Sequence, residues 1–374
     1  MTVYLDYNAS ALIRPEVQAL VTQIMAEGGN PNAVHARGRR ARAHIETARA
    51  RVADLVGADT SAVIFSSGGT ESNAQALASA IAAGCERLIV SATEHPCVAE
   101  AAAMSSVPVE VLPVDRHGQV DLDWLAEALK RPGRAMVGIH HANNESGVLQ
   151  PIAEARALVA AADGWLHVDA IQSAGKIPVS MADLAADSLT LSGHKLGGLQ
   201  GVGALVLAEG RSAVRILHGA GQERGLRAGT ENVPGIAAFG MAAECAARDL
   251  AHDHTAWRDA AAARLKAEGA VVVGEGAPRL PNTLFVATEG WDSPQQLIAL
   301  DLKGVMVSAG SACSSGKTKP SKTMVAMGLE PLATFAIRVS GGWGTTDADW
   351  QTFADAWCEA RARLRARQPA EEIA

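Results

Sequence analysis

Short apolar runs alternate with longer helical patterns along the chain up to about residue 207. The runs are rich in Val, Ile and Leu and lie at 62–67, 87–92, 135–141, 164–170, 187–193 and 201–207. The segments 71–84 and 152–164 between them have the spacing of helices. Near-continuous apolar strands separated by helices predict an α/β fold with a mostly parallel sheet covered on both faces. In such sheets, ligands bind at the carboxyl ends of the strands.

The pattern changes in the last third of the chain. It shows a long helical pattern over 245–270, strand-like pieces at 283–288 and 336–341, and a last helix from about Asp347. This mixture predicts a second, smaller α+β domain. The length of 374 residues is sufficient for two domains.

Composition and charge exclude several classes of protein. The formal charge of -7 argues against a nucleic-acid surface. No apolar run approaches the roughly 20 residues that a membrane span requires. The first residues also lack the basic and apolar regions of a secretory signal. We therefore expect a cytoplasmic protein that binds neither nucleic acid nor membrane.

The cysteines are spaced for neither disulfides nor metal. They are five in number and widely separated, with no CxxC pair, so we expect individual thiols and no metal site. Cys313 lies in "VSAGSACSSGKTKPSK" (307–322), where Gly, Ser and Lys leave almost nothing apolar to bury it. Such a thiol is either an idle surface group or one that must reach a reactant.

The segment "FSSGGTESN" (65–73) leads from a strand through glycines into a helix. Free backbone N–H groups at Gly69 and Thr70, with the positive end of the helix, would form a cup for a phosphate. A tight strand-to-helix turn with no ligand is the alternative, and this segment alone does not decide between them.

Two strand ends carry further chemistry. "HVDAIQS" places Asp169 directly after an apolar strand with Gln172 close behind, and a buried carboxylate there needs a cationic or hydrogen-bonding partner. The next strand ends in "SLTLSGHKLGG", which brings Ser192, His194 and Lys195 together. A lysine in this position is a Schiff-base candidate, although most lysines are solvated surface amines.

Together these residues match the needs of pyridoxal phosphate. They supply an amine for its aldehyde, a carboxylate for its ring nitrogen, donors for its ring oxygen and a site for its phosphate. His95 in "SATEHPCV" follows another strand end, where its imidazole could stack on the ring and move protons. A purely structural histidine is the alternative.

The chain resembles the NifS-like cysteine desulfurases, pyridoxal-phosphate enzymes of fold type I in the class V aminotransferase group. The resemblance covers nearly the whole chain and is carried, in order, by "YLDYNAS", "SGGTESN", "TEHPCV", "NNESGVLQPI", "HVDAIQSAGK", "LSGHKLGG", "AGQERGLRAGTENVP" and "GSACSSG". It implies a large domain with a seven-stranded, mostly parallel sheet and a small α+β domain. We expect the large domain at 13–245 and the small one at 1–12 and 246–374.

The resemblance also implies a role for each candidate residue. Lys195 would be the Schiff-base lysine, Asp169 the partner of the ring nitrogen, Gln172 a donor to the ring hydroxyl and His95 the stacking residue. The phosphate would be held by Gly69, Thr70, Ser192 and His194, and by Thr230 of the neighbouring subunit in a homodimer with shared active sites. Asn144 would contact both cofactor and substrate, and Arg338 would bind the carboxylate of L-cysteine, which its planar fork suits.

Cys313 falls on the sulfur-accepting cysteine of the family. The implied reaction turns L-cysteine into L-alanine, leaves a persulfide on Cys313 and passes the sulfur to an acceptor such as an iron–sulfur scaffold protein. In this sequence Lys317, Lys319 and Lys322 follow the cysteine, and such a basic stretch could lower the thiol pKa or recruit an acidic acceptor. Three alternatives stay open: a selenocysteine lyase, a class V aminotransferase, and a catalytically idle sulfur-carrier or interaction protein.

Overall fold

The computed structural model describes residues 2–310 and 320–366. The strands are β1 Val3–Tyr4, β2 Val63–Ser66, β3 Arg87–Ser91, β4 Val109–Leu112, β5 Ala135–His140, β6 Trp165–Asp169, β7 Ser188–Ser192, β8 Gly203–Leu207, β9 Val271–Val272, β10 Thr283–Ala287, β11 Val305–Met306, β12 Ser308–Ala309 and β13 Ala336–Ser340. The α-helices are α1 Pro15–Glu27, α2 Ala36–Leu55, α3 Gly69–Ala82, α4 Pro96–Ala103, α5 Leu122–Leu129, α6 Ile152–Ala161, α7 Met181–Leu184, α8 Val233–Asp249, α9 Thr255–Ala267, α10 Ser293–Asp301, α11 Lys322–Ala326 and α12 Asp347–Arg365.

The large sheet has seven strands within the described residues, in the order β2-β8-β7-β6-β5-β3-β4. The pairs among β7, β6, β5, β3 and β4 are parallel, whereas β8 is antiparallel to both β2 and β7. The predicted mostly parallel sheet is therefore confirmed. It places the carboxyl ends of β5, β6 and β7 side by side.

Helices cover both faces of this sheet. In β3, Ile89 packs in the core that includes α2 and α8, while Leu88 and Val90 pack in the core that includes α3 and α4. All three are at most 3 % exposed. Because successive side chains of a strand point to opposite faces, burial on both faces gives the near-continuous apolar runs of the sequence.

A second sheet, in the order β12-β13-β10-β9, packs against α9 and α12. Its core holds the fully buried side chains of Trp350, Phe353 and Trp357. Strand β1 pairs in parallel with β11, so the first residues of the chain lie beside this part of the molecule. The domain boundaries at 12/13 and 245/246 stay a prediction.

The long helical pattern over 245–270 belongs to two helices, so its interpretation as one helix is wrong. Helix α8 ends at Asp249, and α9 begins at Thr255. The carboxylate of Asp253 accepts a hydrogen bond from the Thr255 backbone N–H at 2.8 Å, so a polar residue starts a new helix inside the pattern. Within 2–310 and 320–366, no helix is both long and apolar enough to cross a membrane.

Candidate active site

A cavity of about 340 Å³ opens at the carboxyl ends of β5, β6 and β7. The structure brings ten of the predicted site residues to its wall: Gly69, Thr70, His95, Asn144, Asp169, Gln172, Ser192, His194, Lys195 and Arg338. The rest of the lining comes from the N-terminal residues Asn8 and Ala9, the segment 308–310, and Cys97, His140, Ala142 and Ile171. Residues from both sheets and from the chain start therefore meet around one space.

The first turn of α3 forms one end of the cavity. A side chain at Gly69 would place its Cβ 2.2 Å from Ile171 Cδ1, so the two segments approach closely and the end of the Ile171 side chain would have to move to admit it. The first N–H groups of a helix have no acceptor within the helix and form its positive end. The negative charge of Glu71 in the same turn is balanced by Arg227, whose Nε lies 2.9 Å away. This end of the cavity suits an anion.

Asp169 ends β6 with its carboxylate buried beside the cavity. Its Oδ2 accepts from Asn73 Nδ2 at 2.8 Å, and its Oδ1 accepts from the Ile171 N–H at 2.9 Å. Burial, and next the nearby charge of Glu94, raise the pKa of Asp169. A cationic group placed in the cavity would oppose both effects and favour the ionised form.

Lys195 lies in the 3₁₀ turn Gly193–Lys195 that follows β7. Its amine donates to the backbone carbonyl oxygens of Asn8 at 2.6 Å and Ala9 at 2.8 Å. Burial, and next the positive charge of Arg338, lower the pKa of Lys195 to about 8. Roughly a tenth of the amine is therefore uncharged, and hence nucleophilic, at pH 7, far more than for a lysine with its ordinary pKa.

His95 is the N-cap of α4, with its ring exposed at the cavity wall. Its Nδ1 lies 3.2 Å from the backbone nitrogen of Cys97 and 3.0 Å from Cys97 Sγ. Burial, and next the charge of Asp169, raise the pKa of Cys97 to about 12, so this thiol keeps its proton. Burial, followed by the charge of Lys195, lowers the pKa of His194 to about 4, so its imidazole is neutral.

Arg338 projects from β13 to the cavity wall and is buried. It donates to Asp6 Oδ1 at 2.8 Å and to the backbone oxygen of Asn144 at 3.0 Å. Its Nε has no hydrogen-bond partner among the described residues. Gln172 donates to the carbonyl oxygen of Asn8 at 3.0 Å.

One predicted residue of the described chain, Thr230, does not line the cavity. Thr230 is exposed in the segment after the turn Glu223–Gly225. Its predicted contact is with the cofactor of the other subunit, and this stays a prediction. Cys313 lies outside the described residues, as do Lys317 and Lys319.

Sequence reasoning assigned no role to several polar residues of the site. Asn8 accepts from Lys195, and Lys176 donates to Asn8 Oδ1 and to Gln172 Oε1, at 2.7 Å each. Asn73, inside α3, donates to Asp169. The signal for Asn73 is weak, because an asparagine in a helical pattern becomes informative only when the fold places it behind a strand end.

The chain is similar to several known proteins over nearly its whole length. The profile of the family described as aminotransferase class-V matches residues 3–353. A cysteine desulfurase of Trichormus azollae is 38% identical, over 98% of this chain and 94% of its own. The cysteine desulfurase NifS of Azotobacter vinelandii is 39% identical, over 93% of this chain and 89% of its own. The solved structure of a NifS-like protein from Rickettsia africae has a TM-score of 0.89 at 32% identity, covering 97% of this chain and 100% of that one.

The chain therefore belongs to the class V aminotransferase family, among its NifS-like cysteine desulfurases. This family uses pyridoxal phosphate. The residues present fit that cofactor: Gly69 leaves the start of α3 without a side chain at the cavity, the buried Asp169 calls for a cation, and Lys195 offers an amine with a pKa of about 8. The cavity volume lies in the range of small-molecule sites, roughly 300 Å³ and above.

Proposed function

We propose that this chain is a pyridoxal-phosphate-dependent cysteine desulfurase that converts L-cysteine to L-alanine and places the sulfur on Cys313. One observation carries the proposal. The amine of Lys195, the carboxylate of Asp169 and the guanidinium of Arg338 line a single cavity, and the Lys195 pKa is lowered to about 8. An amine, an anion and a carboxylate receptor around one space are what a reaction on an amino acid requires.

The cofactor would be held by residues along the whole cavity. The phosphate would lie at Gly69, Thr70, Ser192 and His194, the ring nitrogen at Asp169, the ring hydroxyl at Gln172 and Asn144, and the ring face at His95. When bound, pyridoxal phosphate supplies an aldehyde that condenses with amines and a ring that stabilises negative charge at the α-carbon. The neutral His194 can donate one hydrogen bond to a phosphate without adding charge.

The substrate carboxylate would be bound by Arg338. Its guanidinium already contacts Asp6 and the Asn144 backbone, which fix its plane, and its Nε is left for a further acceptor. A planar fork of donors binds a carboxylate in bidentate fashion. The site therefore orients an α-amino acid with its carboxylate towards β13.

Lys195 would remove the α-proton of the substrate. Its lowered pKa of about 8 makes the amine a base near neutral pH, and the carbonyls of Asn8 and Ala9 hold the amine when it is free. His95 follows the carboxyl end of β3, and its exposed imidazole ring would transfer protons to and from the substrate. These two residues supply the proton transfers that the reaction needs.

Cys313 would take the sulfur. Its thiolate attacks the substrate sulfur, the bond between that sulfur and Cβ breaks, and the electron pair stays with the carbon. A proton added at Cβ completes L-alanine, and one proton remains on the terminal sulfur of the persulfide. The overall change, cysteine plus thiol to alanine plus persulfide, is balanced in atoms and electrons.

We further propose a homodimer, a reducing cytoplasmic location and a protein acceptor for the sulfur, such as an iron–sulfur scaffold. Thr230 is exposed, as a contact with a second subunit requires. The described cysteines Cys85, Cys97, Cys245 and Cys358 are all free thiols, which fits a reducing compartment.

The test is the formation of alanine from L-cysteine by wild-type protein and by Cys313→Ala, with pyridoxal phosphate and a reducing thiol present. Cys85→Ala, which removes a buried thiol outside the cavity, is the matched control. We expect alanine from wild type and from the control, and its loss in Cys313→Ala. Equal amounts of alanine from wild type, Cys313→Ala and Cys85→Ala would show that Cys313 is not needed and would favour a selenocysteine lyase. Alanine formed only when L-selenocysteine replaces L-cysteine would favour the same alternative. Amino transfer to a 2-oxo acid favours an aminotransferase, and no product favours an idle protein.

A further inference from the structure

A continuous chain of hydrogen bonds runs behind the cavity wall from Trp165 to Asp169. Trp165 Nε1 lies 2.9 Å from Ser188 Oγ, and the same oxygen lies 2.9 Å from His167 Nδ1. His167 Nε2 lies 2.9 Å from Asn73 Oδ1, and Asn73 Nδ2 lies 2.8 Å from Asp169 Oδ2. All five side chains are buried, so these bonds are not shared with bulk water.

The groups at the two ends of this hydrogen-bond chain decide which member donates and which accepts at each bond. An indole can only donate, and Asp169, whose other oxygen accepts from the Ile171 N–H, can only accept when its carboxyl group is ionised. Asn73 must therefore turn its amide nitrogen to Asp169 and its oxygen to His167, which must carry its proton on Nε2. Burial lowers the pKa of His167 to about 4, so the ring is neutral and its Nδ1 accepts from the Ser188 hydroxyl. The reverse assignment would set the Asn73 carbonyl against the carboxylate.

A branch of the same chain reaches His95. Asn73 Nδ2 lies 3.3 Å from Cys97 Sγ, which lies 3.0 Å from His95 Nδ1. The thiol keeps its proton, because burial raises the Cys97 pKa to about 12. With Asn73 donating to the sulfur, the S–H is free to donate to Nδ1, where the Cys97 backbone N–H also donates. His95 then carries its own proton on Nε2.

We propose that Asn73 is a positioning residue that sets two groups of the site at once, with His167 and Cys97 as its partners. It donates to Asp169, which favours the ionised form of that carboxylate, and to the Cys97 thiol, whose S–H joins the Cys97 backbone N–H in keeping His95 Nδ1 an acceptor. Asn73 and His167 themselves do not line the cavity. The consequence for the cofactor rests on the proposed function, whereas the hydrogen-bond directions do not.

The direct test uses the wild-type chain without cofactor, with its histidines labelled with ¹⁵N. Long-range proton–nitrogen spectra at neutral pH distinguish which ring nitrogen carries the proton. His167→Gln and His95→Gln assign the two sets of signals by their loss. We expect His167 to be neutral with its proton on Nε2, and the neutral form of His95 to carry its proton on the same nitrogen. A proton on Nδ1 of His167, or a doubly protonated His167 ring, overturns the proposal, whatever reaction the protein catalyses.

Variants test the two branches separately. Cys97→Ala should shift the His95 signals and leave those of His167 unchanged, and Cys97→Ser, which keeps a donor, should restore them. Cys85→Ala, the matched control, should shift neither. Shifts of both histidines, or of neither, in Cys97→Ala contradict the branch through Cys97.

The variant Asn73→Ala tests the contact with Asp169. Its affinity for pyridoxal phosphate should fall ~10-fold to ~100-fold, the factor for one hydrogen bond to a charged group. An unchanged affinity contradicts the role of Asn73 at Asp169. If Asn73→Ala does not fold, the wild-type and Cys97 spectra still decide the proposal.

Discussion

The amine of Lys195 donates a hydrogen bond to the backbone carbonyl oxygen of Asn8 at 2.6 Å, across 187 positions of sequence. The contact forms because the N-terminal segment crosses the strand ends, where the Ala11 N–H also donates to the His194 carbonyl at 2.9 Å. The same Asn8 oxygen accepts from Gln172. The first residues of the chain thus hold the free amine within the cavity.

The lowered pKa of Lys195 predicts the pH dependence of cofactor loading. Only the neutral amine attacks an aldehyde, and the folded pKa of about 8 lies below the ordinary lysine value of ~10.4. The rate of lysine-dependent pyridoxal phosphate binding to cofactor-free protein should therefore rise with pH and reach half its maximum near pH 8. Stopped-flow absorbance measures this rate. A half-point near the ordinary value would contradict the burial argument, and Lys195→Ala should lack this phase.

Arg338→Lys tests the carboxylate receptor. Lysine keeps the positive charge but cannot make a bidentate contact, and it loses the bonds to Asp6 and Asn144. We expect the KM for L-cysteine to rise ~10-fold or more, which corresponds to one charged hydrogen bond. Steady-state kinetics check this, with Arg264→Lys at an exposed ion pair as the control. An unchanged KM in Arg338→Lys would remove Arg338 from substrate binding.

Gly69→Ala tests the close approach behind the phosphate end. The new Cβ would lie 2.2 Å from Ile171 Cδ1, and because the end of this cavity-lining side chain can move, we expect a cost of ~1 kcal/mol in the free energy of unfolding, the low end for overpacking. Urea unfolding measures this loss. The double variant Gly69→Ala with Ile171→Val removes the offending methyl group and should recover part of the stability. If Gly69→Ala unfolds at the same urea concentration as the wild type, the space between Gly69 and Ile171 accommodates a methyl group without cost, which contradicts the close approach.

The ion pair of Arg49 and Glu223 should stabilise the segment that leads to Thr230. Two bonds of 2.8 Å join the side chains, both are buried, and Glu223 Oε2 also accepts from the Phe65 N–H at 3.0 Å. Removing one partner leaves an uncompensated buried charge. Arg49→Met should therefore lower the free energy of unfolding by ~3–5 kcal/mol. Arg264→Ala, at an exposed pair, should cost at most ~1 kcal/mol, and an equal cost for both would contradict the burial argument.

The sheet was predictable because its strands are buried on both faces. The runs at 62–67, 87–92, 135–141, 164–170, 187–193 and 201–207 correspond to β2, β3, β5, β6, β7 and β8. Strand β4 escaped prediction because it is an edge strand, in which Val109 and Val111 are exposed and the apolar signal is weak. The antiparallel direction of β8 is not encoded in its own residues, since it depends on the connection from β7.

The site was predictable where a motif ends a strand, as at Asp169 and Lys195. It was not predictable where a contact joins distant elements, as in the chain through Asn73 and His167. His167 and Asp169 are two residues apart on β6 and so share one face of the sheet. This spacing is a sequence signal for the hydrogen-bond chain, but its partner Asn73, on α3, is brought beside these residues only by the fold.

The most direct measurement of the central claim follows one turnover without added reductant. Cofactor-loaded protein is mixed with L-cysteine, alanine is quantified, and the peptide masses locate the added sulfur. We predict one alanine for each sulfur on the Cys313 peptide, and neither product from Cys313→Ala. Alanine in equal amount from Cys313→Ala, or sulfur on another cysteine of the wild type, would contradict the account.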